Sequence, residues 1–395
     1  MLFRSGIGVW SSASGNLIGG TTRAAANILS GNATYGVVIG GPGADENIVQ
    51  GNFIGTDISG TNALANGYAG MAIWGASLTN LVGGPTPGAA NVISGNGFYG
   101  VFISDTNTSG NLVAGNFIGT DLSAGGTGNL GNGEAGVELQ AGASANQIGG
   151  IAAGYGNVIA FNGGPGVLMY DSGSTNDSFR GNAIFGNLSL GINLEYDGVT
   201  ANHLGFAAGP NDFQNYPVIT NATASGNSTM IAGTLNSLPN QVYTVDLYRN
   251  RVADASGYGQ GQFYLGSVTV TTDGSGNGAF AYTNATANDA GQFISATATS
   301  AGGDTSEFSA DVLVSNVTPP SATFNPSLHW SGNGLVFNLT LTTNFSYRIQ
   351  TTTNLATHPI VWVDLTNFTA TNSSLTFTDQ PPTGLPARFY RVISP

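Results

Sequence analysis

The chain contains no cysteine and no lysine. Without cysteine there is no disulfide, no thiol nucleophile and no thiolate-bound zinc. Its 8 basic residues are therefore all arginine, set against 21 acidic ones, for a net charge of −13. That balance argues against nucleic acid and against an anionic membrane surface, both of which need basic patches. Charged residues are only 7% of the chain, so Gly, Asn, Ser and Thr supply the polarity, as suits an extracellular β-protein. No apolar run is long enough to insert in a membrane. The three histidines, His203, His329 and His358, are scattered, and none accompanies a second histidine or a serine nucleophile motif. Zinc and triad chemistry lack their residues, and no phosphate-cradling loop leads into a helix.

What the chain does have is repetition. Asn16, Asn80 and Asn146 open NLIGG, NLVGG and NQIGG, spaced by 64 and 66 residues. Asn27, Asn91 and Asn157 open NILSGN, NVISGN and NVIAFN. Asn47 and Asn111 open NIVQGNFIGTD and NLVAGNFIGTD, which degrade to DSFRGNAIFGN from Asp177. A finer string recurs seven times: GIGVW, GVVIG, GMAIW, GVFIS, GVELQ, GVLMY and GINLE, opening at Gly6, Gly36, Gly70, Gly100, Gly136, Gly166 and Gly191. Each string alternates apolar residues with any residue, the period of a strand with one buried face, and no window carries a helical stripe. Short strands separated by Gly and Asn turns, repeated at this interval, predict a solenoid. Its coils stack at about 4.8 Å, so seven span roughly 30 Å. Asn at matching positions predicts ladders of stacked side-chain amides.

These GVxI, NLVxGNFIGTDxSG and NVISGN strings resemble the right-handed parallel β-helix proteins secreted by bacteria, of the pectate-lyase-like superfamily. The resemblance covers residues 5–196 and implies architecture; the superfamily holds lyases, hydrolases, epimerases, tailspikes and adhesins, so it selects no activity. The expected fold is all-β, with a right-handed parallel β-helix of about seven coils followed by two β-sandwich modules. The helix is expected over 1–196 and a polar connector over 197–216. An immunoglobulin-like sandwich follows over 217–315, then a Pro-marked linker over 316–322. The last module, 323–395, has SYRIQ, WVDLTNFT and RFYRV strings that resemble a small C-terminal β module of verrucomicrobial-type secreted proteins, a position that implies adhesion or surface retention. MLFRSGIGVW already lies in the first coil, so the chain is expected to be part of a longer secreted protein, extracellular or on the cell surface.

Function should sit on the outward residues of the GVxI strands. The third column reads Gly8, Val38, Ala72, Phe102, Glu138, Leu168 and Asn193; the fifth reads Trp10, Gly40, Trp74, Ser104, Gln140, Tyr170 and Glu195. Aromatics at one end and carboxylates at the other suit a polysaccharide or cell-surface glycan, with Trp10, Trp74, Phe102, Tyr170 and Arg180 as contacts. The alternative is that the rings pack under loops and the acids are solvated. A hydrolase would draw its proton donor and second carboxylate from Glu138, Asp171, Glu195 and Asp105. A lyase would need calcium and a basic residue, for which Arg180 stands alone. The regular repeat favours binding over catalysis, and a structural spacer is a third reading. An enzyme predicts a walled groove with converging carboxylates, a binder an open aromatic strip, and a spacer neither. No cofactor is required. Calcium is the cation that Asp197, Asn202, Asn211 and Asp212 of the connector would suit. Asp57 and Asp121, after Gly-Thr, are expected to cap their own turns. GGPGAD at Gly40 begins like a calcium-binding nonapeptide but occurs once, and is set aside as a chance match.

Overall fold

The computed structural model describes residues 4–122, 128–316, 322–324, 329–332, 334–343, 345–384 and 387–394. Most of the expected linker lies outside them. The chain forms two compact units, one of residues 1–223 with 229–315, the other of residues 224–228 with 316–395.

The repeats of the first unit form a parallel β-helix with three sheets. The first sheet takes the seven GVxI strands, from Ser5–Trp10 to Ile192–Leu194; the other two have six strands each. All are paired parallel and in register, so equivalent residues stack: Val37 on Met71, Val101 on Met71, and Val137 on Val101. The second and fourth residues of each string point inward as their alternation requires, and Val37, Ile39, Met71, Ile73, Val101 and Ile103 are fully buried. Each such side chain contributes roughly 1.5–3 kcal/mol of burial.

Three asparagine ladders run along the three corners between the sheets. One comprises Asn16, Asn47, Asn80, Asn111, Asn146 and Asp177. The second runs through Asn27, Asn52, Asn91, Asn116, Asn157 and Asn182. The third runs through Asn32, Asn66, Asn96, Asn132, Asn162 and Asn187. In the interior rungs the geometry repeats. The side-chain amide and the backbone N–H of Asn80 both donate to Asn111 Oδ1, each at 3.0 Å, while Asn80 Nδ2 also reaches the Ala44 carbonyl at 3.1 Å.

The sandwich closes the far end of the helix. Its central strand, Val242–Asn250, pairs antiparallel with Phe263–Thr271 and Phe293–Ser300, and a second sheet pairs Ser228–Asn236 with Asn277–Asn284. Tyr248 and Phe308 complete the apolar core of the last coils. Gln260 Oε1 accepts from Asn187 N and Nδ2, both at 3.1 Å, in the place of a seventh rung. Asn211 does the same beyond Asp177: it accepts the Asp177 N–H at 3.0 Å and donates to the Asp177 carbonyl at 2.7 Å. Thr305 Oγ1 takes the Phe179 N–H at 3.0 Å. Arg180 grips the fully buried Asp246 through Nε (2.7 Å) and Nη2 (2.8 Å). Arg180 is thus committed to the sandwich rather than offered to a ligand.

The second unit is an antiparallel sandwich in its own right. Strand Gly334–Thr340 lies between Ser374–Asp379 and the short Thr323–Phe324 and His329–Ser331. Strand Ser346–Thr352 lies between Val363–Thr369 and Phe389–Ile393. Phe337, Leu339, Tyr347 and Ile349 form its core.

Two consequences are measurable. Asp177 replaces an amide with a carboxyl whose Oδ2 is buried without a partner, and burial raises its pKa from 3.8 to about 8. The equivalent atoms of Asn47, Asn80 and Asn111 are N–H donors to carbonyls of the preceding coil. Because the folded pKa lies above the unfolded one, the stability linked to this group is present below about pH 4 and is lost as pH rises through 8. Asp177→Asn should therefore match the parent at pH 4 and exceed it at pH 8 by on the order of 5 kcal/mol in urea unfolding; equal stability at both pH values would refute the assignment. Arg180→Met strands the buried Asp246 and should cost about 3–5 kcal/mol, most of it recovered when Asp246 is also replaced by Asn.

Candidate functional site

The outer face of the first sheet carries a continuous aromatic strip. Trp10 and Trp74 lie with centroids 6.1 Å apart, Tyr35 meets Trp74 edge-on at 5.0 Å, and Tyr68 meets Tyr35 at 5.5 Å and Tyr99 at 5.4 Å. Tyr99 stacks on Phe102 at 5.7 Å, and Phe98 meets Tyr68 at 5.5 Å. Such offset and edge contacts contribute about 0.5–1.5 kcal/mol each beyond burial. Gly40 makes the indole pair possible, since a Cβ there would meet Trp74 Nε1 at 2.4 Å and Trp10 Cζ3 at 2.7 Å. The strip is open: Trp10 is 51% exposed and Phe98 46%.

After Gly8, the third column of the GVxI strands points outward yet is not exposed. Val38, Ala72, Phe102, Glu138, Leu168 and Asn193 are all buried. Val38, Ala72 and Phe102 are covered by Tyr35, Tyr68, Trp74 and Tyr99 in a small apolar cluster of their own. These tyrosines went unread as site residues, although Tyr35 and Tyr99 each stand just before the Gly of a GVxI string.

Glu138 is the chemically distinctive member of this face. It stacks between Phe102 and Leu168, is 2% exposed, and hydrogen-bonds the Tyr99 hydroxyl, while its Oε2 has no partner. Burial, with a smaller contribution from the charge of Glu134, raises its pKa from 4.5 to about 7 against the opposing Tyr99 hydrogen bond. Glu138 in turn raises the pKa of Tyr99, Tyr68 and Tyr170, each of which is shifted first by its own burial. Tyr196 completes the group: its ring lies 6.2 Å from that of Tyr170 and its hydroxyl donates to Glu134 at 3.1 Å. One buried carboxyl is thus ringed by tyrosines.

The other expected acids do different work. Asp105 accepts the Gly75 N–H at 3.1 Å, and Asp171 accepts the Ala141 N–H, the same bond one long repeat later. Asp171 also accepts the Gly173 N–H at 3.0 Å. Both acids tie successive turns together. Glu195 is exposed at the end of the last strand. Asp105 and Asp171 are therefore engaged by backbone N–H groups, Glu138 by the Tyr99 hydroxyl, and Glu195 lies at the exposed end of its strand. The clefts lined by His203, Asp212 and Gln241 and by Leu188, Val252 and Gln262 contain none of the four.

The connector set is likewise divided. Asn211 is a ladder rung, Asn202 Oδ1 takes the Tyr216 N–H at 3.0 Å, Asp197 is exposed, and Asp212 faces the cleft beside Phe213 and Asp304. Among the described residues no group of three or more His, Cys, Asp and Glu is placed to hold a metal. Asp57 accepts the Ser59 and Gly60 N–H groups, each at 3.1 Å, and the Ser59 and Asn62 side chains lead in lowering its pKa to about 2. It caps its own turn. In the GGPGAD string, Asp45 accepts the Leu78 N–H at 2.7 Å.

No protein-family model matches the chain, and no curated protein does. Among solved structures, a DUF3823 family protein from Bacteroides ovatus ATCC 8483 is similar over 45% of this chain and 89% of its own, at 13% identity and a TM-score of 0.14. A likeness that low carries no argument.

The state of Glu138 can be read directly. Its folded pKa lies above its unfolded one, so its contribution to stability is present below about pH 4.5 and is lost as pH rises through 7. The stability difference between Glu138→Gln and the parent should change by on the order of 3 kcal/mol between pH 4 and pH 8. Tyr99→Phe removes a bond that favours the ionised form, and a carbon-13 titration of the carboxyl should then show a still higher midpoint.

Proposed function

We propose that this is a secreted or cell-surface protein of the pectate-lyase-like kind that holds a glycan along the outer face of its β-helix. The observation that carries the reading is the aromatic strip from Trp10 to Phe98, which is contiguous and open to solvent. Ring faces stack on sugar rings, tyrosine hydroxyls and carboxyls take sugar hydroxyls, and a parallel sheet repeats such contacts at about 4.8 Å. The contacts expected on this reading are Trp10, Trp74, Phe102 and Tyr170, together with Tyr35, Tyr68 and Tyr99. The modules at 217–315 and 323–395 then extend and retain the helix at the surface.

A second reading, a polysaccharide-cleaving enzyme, is favoured by one observation: Glu138 has the raised pKa of a general acid. Its second carboxylate would be Glu134, whose charge Glu138 feels.

A polysaccharide array scored for both retention and release separates these. Retention without new reducing or unsaturated ends, weakened roughly tenfold in a Trp10→Ala, Phe98→Ala double variant of unchanged melting temperature, is the expected result. Release of ends that disappears in Glu138→Gln would install the enzyme. Retention indifferent to the aromatic substitutions would move binding off this face.

A further inference from the structure

The glycan reading leaves its chemistry open, and the charges beside the strip narrow it. Over the last coils the outer face carries Glu134, Glu138 and Glu195, followed by Asp197. None of these takes part in an ion pair: among the described residues the pairs are Arg180 with Asp246, Arg249 with Asp289, Arg348 with Asp364, and Arg388 with Asp379. Arg23 is spent over the Phe53 ring on another sheet. Arg4 precedes the first strand of the same sheet, four coils from Glu134. By the coil spacing that is roughly 19 Å, well beyond the ~10 Å screening length at 0.1 M salt. Arg251 lies over the Phe263 ring of the sandwich, so none of the carboxylates at this end of the strip has an ion-pair partner among the described residues.

A second observation points to a ligand there. Glu138 is 2% exposed, its Oε2 lacks any hydrogen-bond partner, and it stands inside the ring of Tyr68, Tyr99 and Tyr170. A buried carboxyl with a vacant oxygen is poorly matched to its surroundings, and tyrosine faces together with carboxylates attract an ammonium group. An acidic glycan meets the reverse, since uronates would be brought against several like charges with no arginine to take them.

Resting on the glycan reading above, we infer that the strip takes an amino-bearing glycan, a glucosamine-type polymer, with its ammonium groups held at Glu134 and over the tyrosine faces, Glu138 acting from beneath as a buried countercharge, and its ring faces on the tyrosines. Sugar stacking and charge are both required, and this separates the inference from a general affinity for cations. Because Glu138 shares its proton with solvent near neutrality, an arriving ammonium favours its ionised form, and binding at pH 6 should release a proton.

The test is titration calorimetry on the full chain at pH 6 and low salt, in two buffers of different ionisation enthalpy, with four probes. These are a fully deacetylated chitin pentamer, its N-acetylated counterpart, a galacturonate pentamer and an oligolysine of equal charge. The deacetylated pentamer should bind at least tenfold more tightly than the acetylated one and release protons, while the galacturonate should not bind. In Glu134→Gln, Glu138→Gln, and in the parent at 0.5 M salt, that preference should fall below twofold with binding of the acetylated pentamer retained. Equal binding of the two chitin pentamers, or a preference for galacturonate, would overturn the amino-sugar inference and leave the glycan reading standing. Oligolysine bound as tightly as the deacetylated pentamer would overturn it in favour of a basic peptide. If none of the three glycans binds, this inference fails, while the glycan reading stands or falls on the polysaccharide array.

Discussion

The hydrogen bond on which the rest depends is the one from one asparagine to the next. In the interior of the ladders a single Oδ1 accepts both the backbone N–H and the side-chain amide of the rung beneath. The corner carbonyls accept from the backbone of the next coil, but the corner N–H groups are left to the ladder, and an unpaired amide in so dry a place would cost about 1–3 kcal/mol. From the corner backbone an asparagine amide reaches both the next rung and a carbonyl of the preceding coil, and the corners are asparagine apart from Asp177 while the sheets accept Val, Ile, Leu or Met. The ladder fixes the rise, and the rise fixes the register of all three sheets.

The ladder also has direction, and direction creates an end. The last rungs hold donors that need acceptors, and the chain supplies them from outside the repeat: Gln260 above Asn187, Asn211 above Asp177 and Thr305 above Phe179. Glu307 joins them, with its two carboxyl oxygens on the Leu194 and Thr200 N–H groups at 2.9 Å, and burial raises its pKa to about 7. The sandwich is thus the terminal cap of a solenoid, which explains why helix and sandwich form one compact unit. The caps carry carboxyls where the repeat carries amides. Asp177 and Glu307 both have pKa values raised by burial, so this end of the helix loses stability as pH rises toward 8, while the amide rungs before it are indifferent.

What was legible in the sequence follows from the same geometry. Everything that repeats could be read: the GVxI strands, the ladders, the parallel stacking and the inward second and fourth residues. The direction of the outer columns could be read as well, but not their exposure. Glu138 was recognisable as outward-facing, whereas its burial depends on residues the coil brings in from far along the chain, among them Tyr99, a whole coil earlier. Arg180 and Asn211 show the opposite failure. Their partners, Asp246 and Asp177, lie 66 and 34 residues distant across the junction, where the period has stopped and spacing carries no information. Alone, each looked available to a ligand; in the fold each closes a gap in the cap.

The aromatic strip is the feature that stability alone leaves unexplained. Outward columns elsewhere on the helix show how a sheet can be stiffened without it: Ile48, Leu81 and Leu112 sit in register on the second sheet and are only half-buried. Stacked aliphatics supply dispersion at every step and require no glycine beneath them. The first sheet instead carries two indoles that fit only because position 40 has no side chain, and tyrosine hydroxyls gathered around a carboxyl that burial holds partly protonated. Burying Glu138 with an empty oxygen opposes folding over much of the neutral pH range, and replacing it with Gln would relieve that without altering the coil. A repeat that varies freely at its outward positions has no structural reason to keep the acid there. A face that must recognise a ligand does have one, because a desolvated carboxyl among ring faces discriminates between ligands by charge far more strongly than a solvated one could.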